Sequence, residues 1–206
     1  MTMSKISAAG TKPTTAIPAT YTHHSQRHDV HKHMITLSTD KFNHISQKIY
    51  DTLVSSVDFF KLTCVCGLSG CLISHGSYKR YVKINGAKTV LCISRVKCNI
   101  CGKTHALLLS SMVPYSQILL HEHIKIIAAH TDPVKRSLVM EHNPELDEND
   151  LYHVMSQYRR HWEQRLFSHG IGFDSVSHLV YQCFSLFHRQ FMQIKNTPNI
   201  LYLKPT

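Results

Sequence analysis

Apolar residues recur at three- and four-residue intervals in five segments of the chain, which is the pattern of helices with one buried face. Proline at the first position of a helix strengthens one of these predictions, because Pro133 follows a capping residue. The predicted helices span residues 40–57, 116–130, 133–142, 148–169 and 173–192. Their expected N-terminal caps are Thr39 or Asp40, Asp132, Asp147, and Asp174 or Ser175.

A β-hairpin is predicted between the first two helices, around Asn85-Gly86. Apolar-rich arms around Asn-Gly are a strong hairpin signal, because both central residues of a type I′ turn have positive φ. A two-residue turn pairs Lys83 with Lys88, and side chains then alternate between the two faces of each strand. One face carries Lys79, Tyr81, Lys83 and Lys88, and the other carries Tyr78, Val82, Leu91 and Ile93 with Arg80.

Six of the seven cysteines flank or occupy this hairpin, and their spacing predicts a zinc ribbon. Cys98-x2-Cys101 followed by glycine has the shape of a zinc knuckle, so Cys98 and Cys101 are the expected ligand pair at one end. At the other end three thiols, Cys64, Cys66 and Cys71, compete for two places. The glycines between Cys66 and Cys71 allow the chain to reverse sharply around a metal ion.

His75 and His105 are possible nitrogen ligands but are expected at the surface, and Cys92 is expected to pack within a strand. A redox dithiol is disfavoured because a thioredoxin-like Cys-x2-Cys lies near a βαβ pattern, which this sequence lacks. Disulfides are disfavoured by the odd number of cysteines and by the absence of a secretory signal. We therefore expect structural Zn²⁺, which supplies folding energy that a ribbon of about forty residues cannot gain by burial alone.

These elements place the chain in the α+β class, with an N-terminal zinc ribbon (β-hairpin) followed by an α-helical, helix-turn-helix-like region. The expected order is a disordered arm (1–37), a helix (38–58), the zinc ribbon (59–112) and the helical region (113–206). The arm is assigned from its composition, which is rich in Thr, Ser, Ala, Pro and His and has no apolar periodicity.

Positive charge is concentrated in the ribbon. The chain has 23 basic and 13 acidic residues, which gives a net charge of +10, and no acidic residue occurs between Asp58 and Glu122. A zinc ion with four thiolates carries about −2, so the region remains positive with the metal bound. Lysines beside a tyrosine suit contacts with phosphates and a nearby sugar or base, and the absence of acidic residues favours a nucleic-acid surface over a simply solvated face. The candidate contacts in the ribbon are Lys79, Arg80, Tyr81, Lys83, Lys88, Arg95, Lys97 and Lys103.

The short helix, turn and longer helix between residues 133 and 169 are organised like a helix-turn-helix unit. A recognition helix usually presents its N-terminal end to DNA, but here that end holds Glu145, Asp147, Glu148 and Asp150, which would repel phosphates. DNA contact and simple packing therefore both remain open for this helix. The candidate contacts beyond its acidic end are Gln157, Arg159, Arg160 and Arg165.

Four further motifs stand out: CNICGKTHALLL at 98–109, MVPYS at 112–116, HGSYKR at 75–80, and FMQIK with TPN at 191–199. Together they resemble a family of small bacterial zinc-ribbon proteins of unknown function, which occur on mobile genetic elements and are often labelled transposase-like. The resemblance spans residues 60–206. It implies a transposon or DNA-binding context and brings no known reaction with it.

No catalytic constellation is evident, so we expect a protein that is not an enzyme. A metal-dependent transposase domain needs three carboxylates on a ribonuclease H-like core, whereas the acidic residues here cluster at 141–150 in helical sequence, and the strands of such a core are not predicted. The leading hypothesis is a DNA-binding accessory or regulatory protein of a mobile element. The alternative is a protein-interaction adaptor in a transposition complex, and a zinc-dependent nuclease is a weaker third.

The expected partners are DNA and other transposition proteins. No apolar run is long enough to cross a bilayer, and the first residues lack the apolar core of a signal peptide, so a cytoplasmic protein without membrane contact is expected. The apolar stripe of the last predicted helix is either core or the face of a homodimer.

Overall fold

The computed structural model describes residues 33–197 and 199–204, whose strands form one mixed sheet in the order β2-β3-β4-β1-β5. The strands are β1 (His33–Leu37), β2 (Leu72–Ile84), β3 (Ala87–Cys98), β4 (Thr104–Leu109) and β5 (Asn199–Leu203). Strands β2, β3 and β4 are antiparallel neighbours, whereas β1 runs parallel to both β4 and β5. The α+β class is confirmed. The sequence pattern predicts only the hairpin, and not the larger sheet that contains it.

Strand β1 lies in the interior of the sheet and shortens the predicted disordered arm. Met34, Ile35 and Leu37 are buried, and the strand pairs with β4 along its whole length. A strand that is covered on both faces lacks the apolar and polar alternation by which half-exposed strands are found in a sequence. The arm predicted over residues 1–37 is therefore too long by residues 33–37, and residues 1–32 lie outside the described residues.

Strand β5 brings the C-terminal part of the chain back to the same sheet. It pairs in parallel with β1, and Leu201 and Leu203 pack against the buried residues of the sheet. Parallel neighbours need a long crossover connection, which here is most of the chain. The predicted ribbon (59–112) and helical region (113–206) therefore share one sheet, and the first helix is not a separate unit.

The hairpin forms with the predicted register. Asn85 and Gly86 have φ values of 50° and 77°, as a type I′ turn requires, and Lys83 pairs with Lys88. The strands are longer than the predicted arms, and their register shifts between Ser74 and Ser77. The antiparallel pair therefore extends from the turn back to the cysteines at its open end.

Six α-helices lie within the described residues, and their ends show where local signals decide a boundary. They are α1 (Gln47–Ser55), α2 (Leu120–Ala129), α3 (Pro133–His142), α4 (Glu148–His161), α5 (Glu163–Ser168) and α6 (Val176–Phe187). The predicted caps Asp132, Asp147 and Ser175 are confirmed. Helix α1 is shorter than predicted, because its cap is Ser46. None of the described helices has the length and apolar character needed to cross a membrane.

Two groups of buried side chains form the interior. In the first, α1 covers the sheet, and the Tyr50 hydroxyl donates to the Leu107 carbonyl at 2.9 Å and accepts from the Ser94 N–H at 2.7 Å. In the second, the helices surround Trp162, which is inaccessible to solvent and packs edge-on against Phe191 with ring centroids 5.3 Å apart. The predicted long helix from 148 to 169 is interrupted at Trp162, between α4 and α5.

Candidate metal centre and nucleic-acid interface

Four thiols converge at the open end of the hairpin. The sulfur atoms of Cys64, Cys66, Cys71 and Cys98 all lie within 4.8 Å of one another. The Cys66 and Cys98 sulfurs are 3.8 Å apart. A tetrahedral zinc ion with Zn–S bonds of about 2.3 Å holds its sulfurs about 3.8 Å apart. The four thiols therefore fit a closed, four-coordinate metal site.

The segment from Cys64 to Cys71 folds back on itself and so directs three thiols into one space. The Cys64 N–H donates to the Leu68 carbonyl at 2.8 Å, and the Gly67 N–H donates to the Cys64 carbonyl at 2.9 Å. Gly67 has a φ of 85°, a left-handed conformation in which a side chain is strained. This is the sharp reversal that the glycines predict. Cys71 then leads directly into β2.

The knuckle at the other end is stabilised by hydrogen bonds to sulfur. The Cys101 N–H donates to the Cys98 sulfur at 3.3 Å, and the Gly102 N–H donates to the Cys98 carbonyl at 3.0 Å. Burial alone would raise the pKa of the Cys98 thiol, but the N–H groups of Cys101 and Ile100 donate to it and bring the pKa down to about 6. Cys98 is thus prepared to act as a thiolate, which is the form that binds metals.

The net shift of the pKa has the opposite direction at Cys64 and Cys71. Burial raises the pKa of these two thiols above the usual range, and neighbouring thiols raise it further. Several thiolates packed together repel one another unless a cation lies between them. A bound metal ion reverses this effect, because a coordinating thiol is deprotonated. The chemistry of the donor set therefore suits a divalent cation.

Two further donor groups lie beside the four thiols. The Cys64 sulfur lies 3.6 Å from the Cys101 sulfur and 3.5 Å from the His105 Nε2 atom. The sequence predicts two ligands from Cys64, Cys66 and Cys71 together with Cys98 and Cys101. In the structure all three of the first thiols lie close to Cys98, and the Cys101 sulfur packs against that of Cys64. His105 is 1% exposed, which corrects the prediction of a surface histidine.

The other two groups considered for the cluster lie outside it. His75 is exposed on β2, as predicted. Cys92 is exposed on β3, so the prediction that it packs inside the fold is wrong. Its backbone N–H and carbonyl bind the Gln47 side chain at 2.8 and 3.1 Å, and this contact connects α1 to the strand.

The hairpin face that carries Lys79, Tyr81, Lys83 and Lys88, here called the lysine face, is only partly exposed to solvent. Lys79 and Lys88 are exposed, and the Lys88 ammonium lies 4.7 Å from the centre of the Tyr81 ring. Lys103, in the turn after the knuckle, is also exposed, whereas Lys97 is half-buried. The available surface therefore consists of Lys79 and Lys88 beside the half-exposed Tyr81, with Lys103 beyond the other end of β3.

Arg80 and Arg95 do not belong to this lysine face. The Arg80 guanidinium is partly buried and donates to the carbonyls of Val113 at 2.6 Å and Ser116 at 2.7 Å. Arg95 lies 5.9 Å from the centre of the Tyr78 ring. Arg80 thus lies on the predicted inner face of β2, and both arginines line a cavity that is described below.

Lys83 connects the hairpin to α4. The Lys83 ammonium lies 2.5 Å from an Asp150 carboxylate oxygen. The backbone N–H of Lys83 donates to the Gln117 carbonyl at 2.8 Å. The ion pair is partly buried, with side-chain exposures of 17% and 22%. Glu148, also at the start of α4, pairs with Arg136. The acidic start of α4 is therefore balanced by basic side chains within the protein.

A double-mutant cycle measures how strongly this pair anchors the hairpin. Combining Lys83→Met with Asp150→Asn should give a coupling energy of about 1–2 kcal/mol, because a partly buried pair is less screened than a surface pair. Urea unfolding of the four proteins gives the energy. The exposed pair of Arg136 and Glu148 is the matched control, for which we expect about 0.5 kcal/mol or less. Equal coupling in the two pairs would contradict an anchoring role.

The four candidate contacts of the helical region have different surroundings. Arg159 donates to the His130 Nε2 atom, and the Arg165 guanidinium lies 5.6 Å from the centre of the Trp162 ring. Gln157 is half-buried, whereas Arg160 is exposed. Because the four side chains do not form one continuous exposed row, this helix presents only a small basic surface.

One comparison with known proteins gives a match, to a region that contains the four clustered thiols and Cys101. Residues 64–143 match the model of a family described as a domain of unknown function (DUF6431). The match covers less than half of the chain, from Cys64 through the hairpin to the residue after α3. No curated protein and no solved structure matches this chain. The matched region thus includes the thiols and the hairpin, and its description names no activity.

His105 is named from the sequence as a possible ligand, but its predicted surface position is wrong. Its burial follows from the alternation along β4, where His105, Leu107 and Leu109 share one face and all three are buried. The spacing from Cys101 suggests a ligand, but the alternation with two leucines is the signal that excludes a surface position. Together, the spacing from Cys101 and the alternation along β4 indicate a buried His105 beside the thiols.

Proposed function

We propose that this protein binds DNA as an accessory or regulatory factor, with a thiolate-bound zinc ion fixing the hairpin that contacts the phosphates. The observation that carries the proposal is the exposed lysine face. Lys79 and Lys88 flank a half-exposed Tyr81 on that face. No acidic residue between positions 58 and 122 opposes them. Such a surface favours a polyanion, with the tyrosine placed near a sugar or base.

Zinc is the metal that best fits the four thiols. Sulfur donors at these separations suit a tetrahedral Zn²⁺ ion with no open position, which is typical of structural sites. Three of the sulfurs belong to residues of the buried sheet core, Cys64, Cys71 and Cys98. The metal would therefore stabilise the fold and would have no part in a reaction.

The mobile-element setting is the part of the proposal that rests on resemblance. The motifs at residues 75–80, 98–109, 112–116 and 191–199 support it, because together they resemble transposon-associated zinc-ribbon proteins. In that setting the protein would act beside a transposase. The helices α3 and α4 would add contacts through Arg160 or pack against another subunit.

Salt dependence of duplex binding tests the proposal. Each phosphate contact contributes about −0.9 to the slope of log affinity against log salt concentration. Three exposed lysines, Lys79, Lys88 and Lys103, therefore predict a slope of about −3 or steeper. Fluorescence anisotropy with a labelled duplex between about 50 and 200 mM salt gives the slope. Affinity that does not fall as salt rises would refute phosphate binding by these three lysines.

A second candidate function, a protein-interaction adaptor, is favoured by apolar side chains near the thiols. Phe60, Leu68, Ile73 and Ile100 are all exposed, with Phe60 at 74% and Ile100 at 65%. Exposed apolar groups that cluster on one part of a surface are typical of protein contacts. Changing Phe60 and Ile100 to serine should abolish partner capture and leave duplex binding intact if both functions exist.

A further inference from the structure

A cavity of about 450 Å³ opens between the sheet and the chain that leads to α2. Its walls come from four strands and from residues 115–117. The volume lies within the range of sites that hold small organic ligands. The cavity contains neither the thiols nor Lys79 and Lys88, and it shares only Tyr81 with the lysine face of the hairpin.

The cavity holds two positive charges without an acidic partner. Arg80 and Arg95 line it, none of its lining residues is acidic, and within the described residues neither arginine forms an ion pair. Arg80 donates only to neutral carbonyls in the bonds described above. The buried Nε of Arg95 has no hydrogen-bond partner in the described part of the chain. The other end of the Arg95 guanidinium donates to the Ser77 carbonyl at 3.5 Å, which is also neutral. Partly buried guanidinium groups without a counter-charge favour binding of an anion.

Aromatic side chains complete the walls. Tyr78, Tyr81 and Tyr115 line the cavity, and Tyr115 is 46% exposed at its edge. Tyr115 has a φ of 65°, a left-handed conformation that is unfavourable for a side chain with a Cβ atom. Strained residues of this kind concentrate at ligand sites. The Lys195 ammonium, 4.4 Å from the centre of the Tyr115 ring, adds positive charge at the same edge.

We propose that this cavity binds one nucleotide, with Arg80 and Arg95 on its phosphate and Tyr115 against its base. Planar guanidinium groups match the geometry of phosphate oxygens, and tyrosine rings stack on bases of any sequence. The side chains of Gln117 and Thr104 supply donors and acceptors for a base edge. The nucleotide is either free or part of a single strand, and these two sources share the same recognition chemistry.

Isothermal titration calorimetry, which measures the heat of ligand binding to the purified protein, tests the proposal. The probes are the four deoxynucleoside monophosphates, inorganic phosphate, a deoxynucleoside, and a single-stranded oligonucleotide. Arg95→Gln should weaken nucleotide binding about tenfold or more, because a charge-assisted hydrogen-bond donor is lost. Tyr115→Asn should weaken it by about tenfold without lowering the Tm, since asparagine tolerates a left-handed backbone better than tyrosine. Lys48→Gln, which removes an exposed charge on α1, is the control and should bind like the wild type.

The outcomes separate this inference from the proposed function. Oligonucleotide binding that needs Arg95 and Tyr115, without monophosphate binding, identifies a strand as the source of the nucleotide. The inference is refuted if neither probe binds, or if Arg95→Gln binds like the wild type. It is also refuted if inorganic phosphate binds as tightly as a nucleotide and Tyr115→Asn has no effect. Duplex binding measured on the same variants shows whether the lysine face still functions when the cavity fails.

Discussion

Removing the metal with a strong chelator is expected to lower the free energy of unfolding by about 4 kcal/mol, relative to protein with free zinc at a thousandfold excess over its Kd. The reason is the burial of the thiols. Cys64, Cys71 and Cys98 are at most 4% exposed and belong to the core that β2 and β3 form with α1. Without a cation the Cys64 and Cys71 thiols stay protonated, and the bonds by which the metal would join them to Cys98 are lost. Guanidinium unfolding with and without chelator, alongside metal analysis and thiol titration, measures the effect.

Cysteine variants give this prediction a matched control. Cys98→Ser should lose the metal and the same stability, because it removes one of the four mutually close thiols. Cys92→Ser changes the same residue type on the same strand, but at an exposed site outside the cluster. It should change stability by about 0.5 kcal/mol or less. A protein that is purified without metal and unfolds identically in chelator would contradict the prediction.

The same experiment decides which thiols bind. If the four mutually close sulfurs are the ligands, Cys66→Ser should abolish metal binding and Cys101→Ser should retain it. The predicted arrangement of two ligands from each end gives a different result, because Cys101 is then essential. His105→Ala tests the remaining donor, whose ring nitrogen lies 3.5 Å from the Cys64 sulfur. Metal stoichiometry measured on each variant separates the three cases.

Loss of the metal is expected to weaken the fold rather than abolish it, and this differs from what the sequence suggests. An isolated ribbon of about forty residues would depend on zinc to fold. Here β4 pairs with β1, and β1 with β5, so the ribbon strands are continued by others. The helical core around Trp162 does not contain the thiols. Both features supply stability that is independent of the metal.

Local signals account for the parts of the fold that the sequence predicts well. The Asn85-Gly86 turn determines its own register because both residues need positive φ. Asp132 and Asp147 determine where α3 and α4 begin because each side chain binds N–H groups within three residues. In these cases the deciding interaction joins neighbours in sequence, so the pattern is sufficient.

The parts that the sequence does not predict depend on distant partners. Strands β1 and β5 have five residues each, and their parallel pairing joins segments more than 160 residues apart. No local pattern specifies such a partner. The cysteine cluster shows the same limit, since spacing identifies the thiols but not which of them meet. The neutralisation of Asp150 by Lys83, 67 positions away in the chain, likewise requires the folded structure.

Reversing two charges on the lysine face is expected to have the largest effect on DNA binding. Lys79→Glu combined with Lys88→Glu should lower duplex affinity by at least about a hundredfold, because two phosphate contacts become repulsions. The salt slope should become shallower by about 2, since each lost phosphate contact removes about one unit. Anisotropy titrations at several salt concentrations measure both quantities. Both lysines are exposed on a strand face, so the folded structure should be unaffected.

The control must change the net charge equally at another place. Lys41→Glu combined with Lys48→Glu does this, because both lysines are exposed and neither belongs to the hairpin strands. Long-range attraction of the whole protein for DNA would weaken equally in both double variants, whereas a contact surface would weaken only in the first. If both pairs reduce binding to the same extent, the lysine face is not the interface. If neither does, the exposed apolar groups around Phe60 and Ile100 become the better candidate for recognition, and the protein acts as an adaptor.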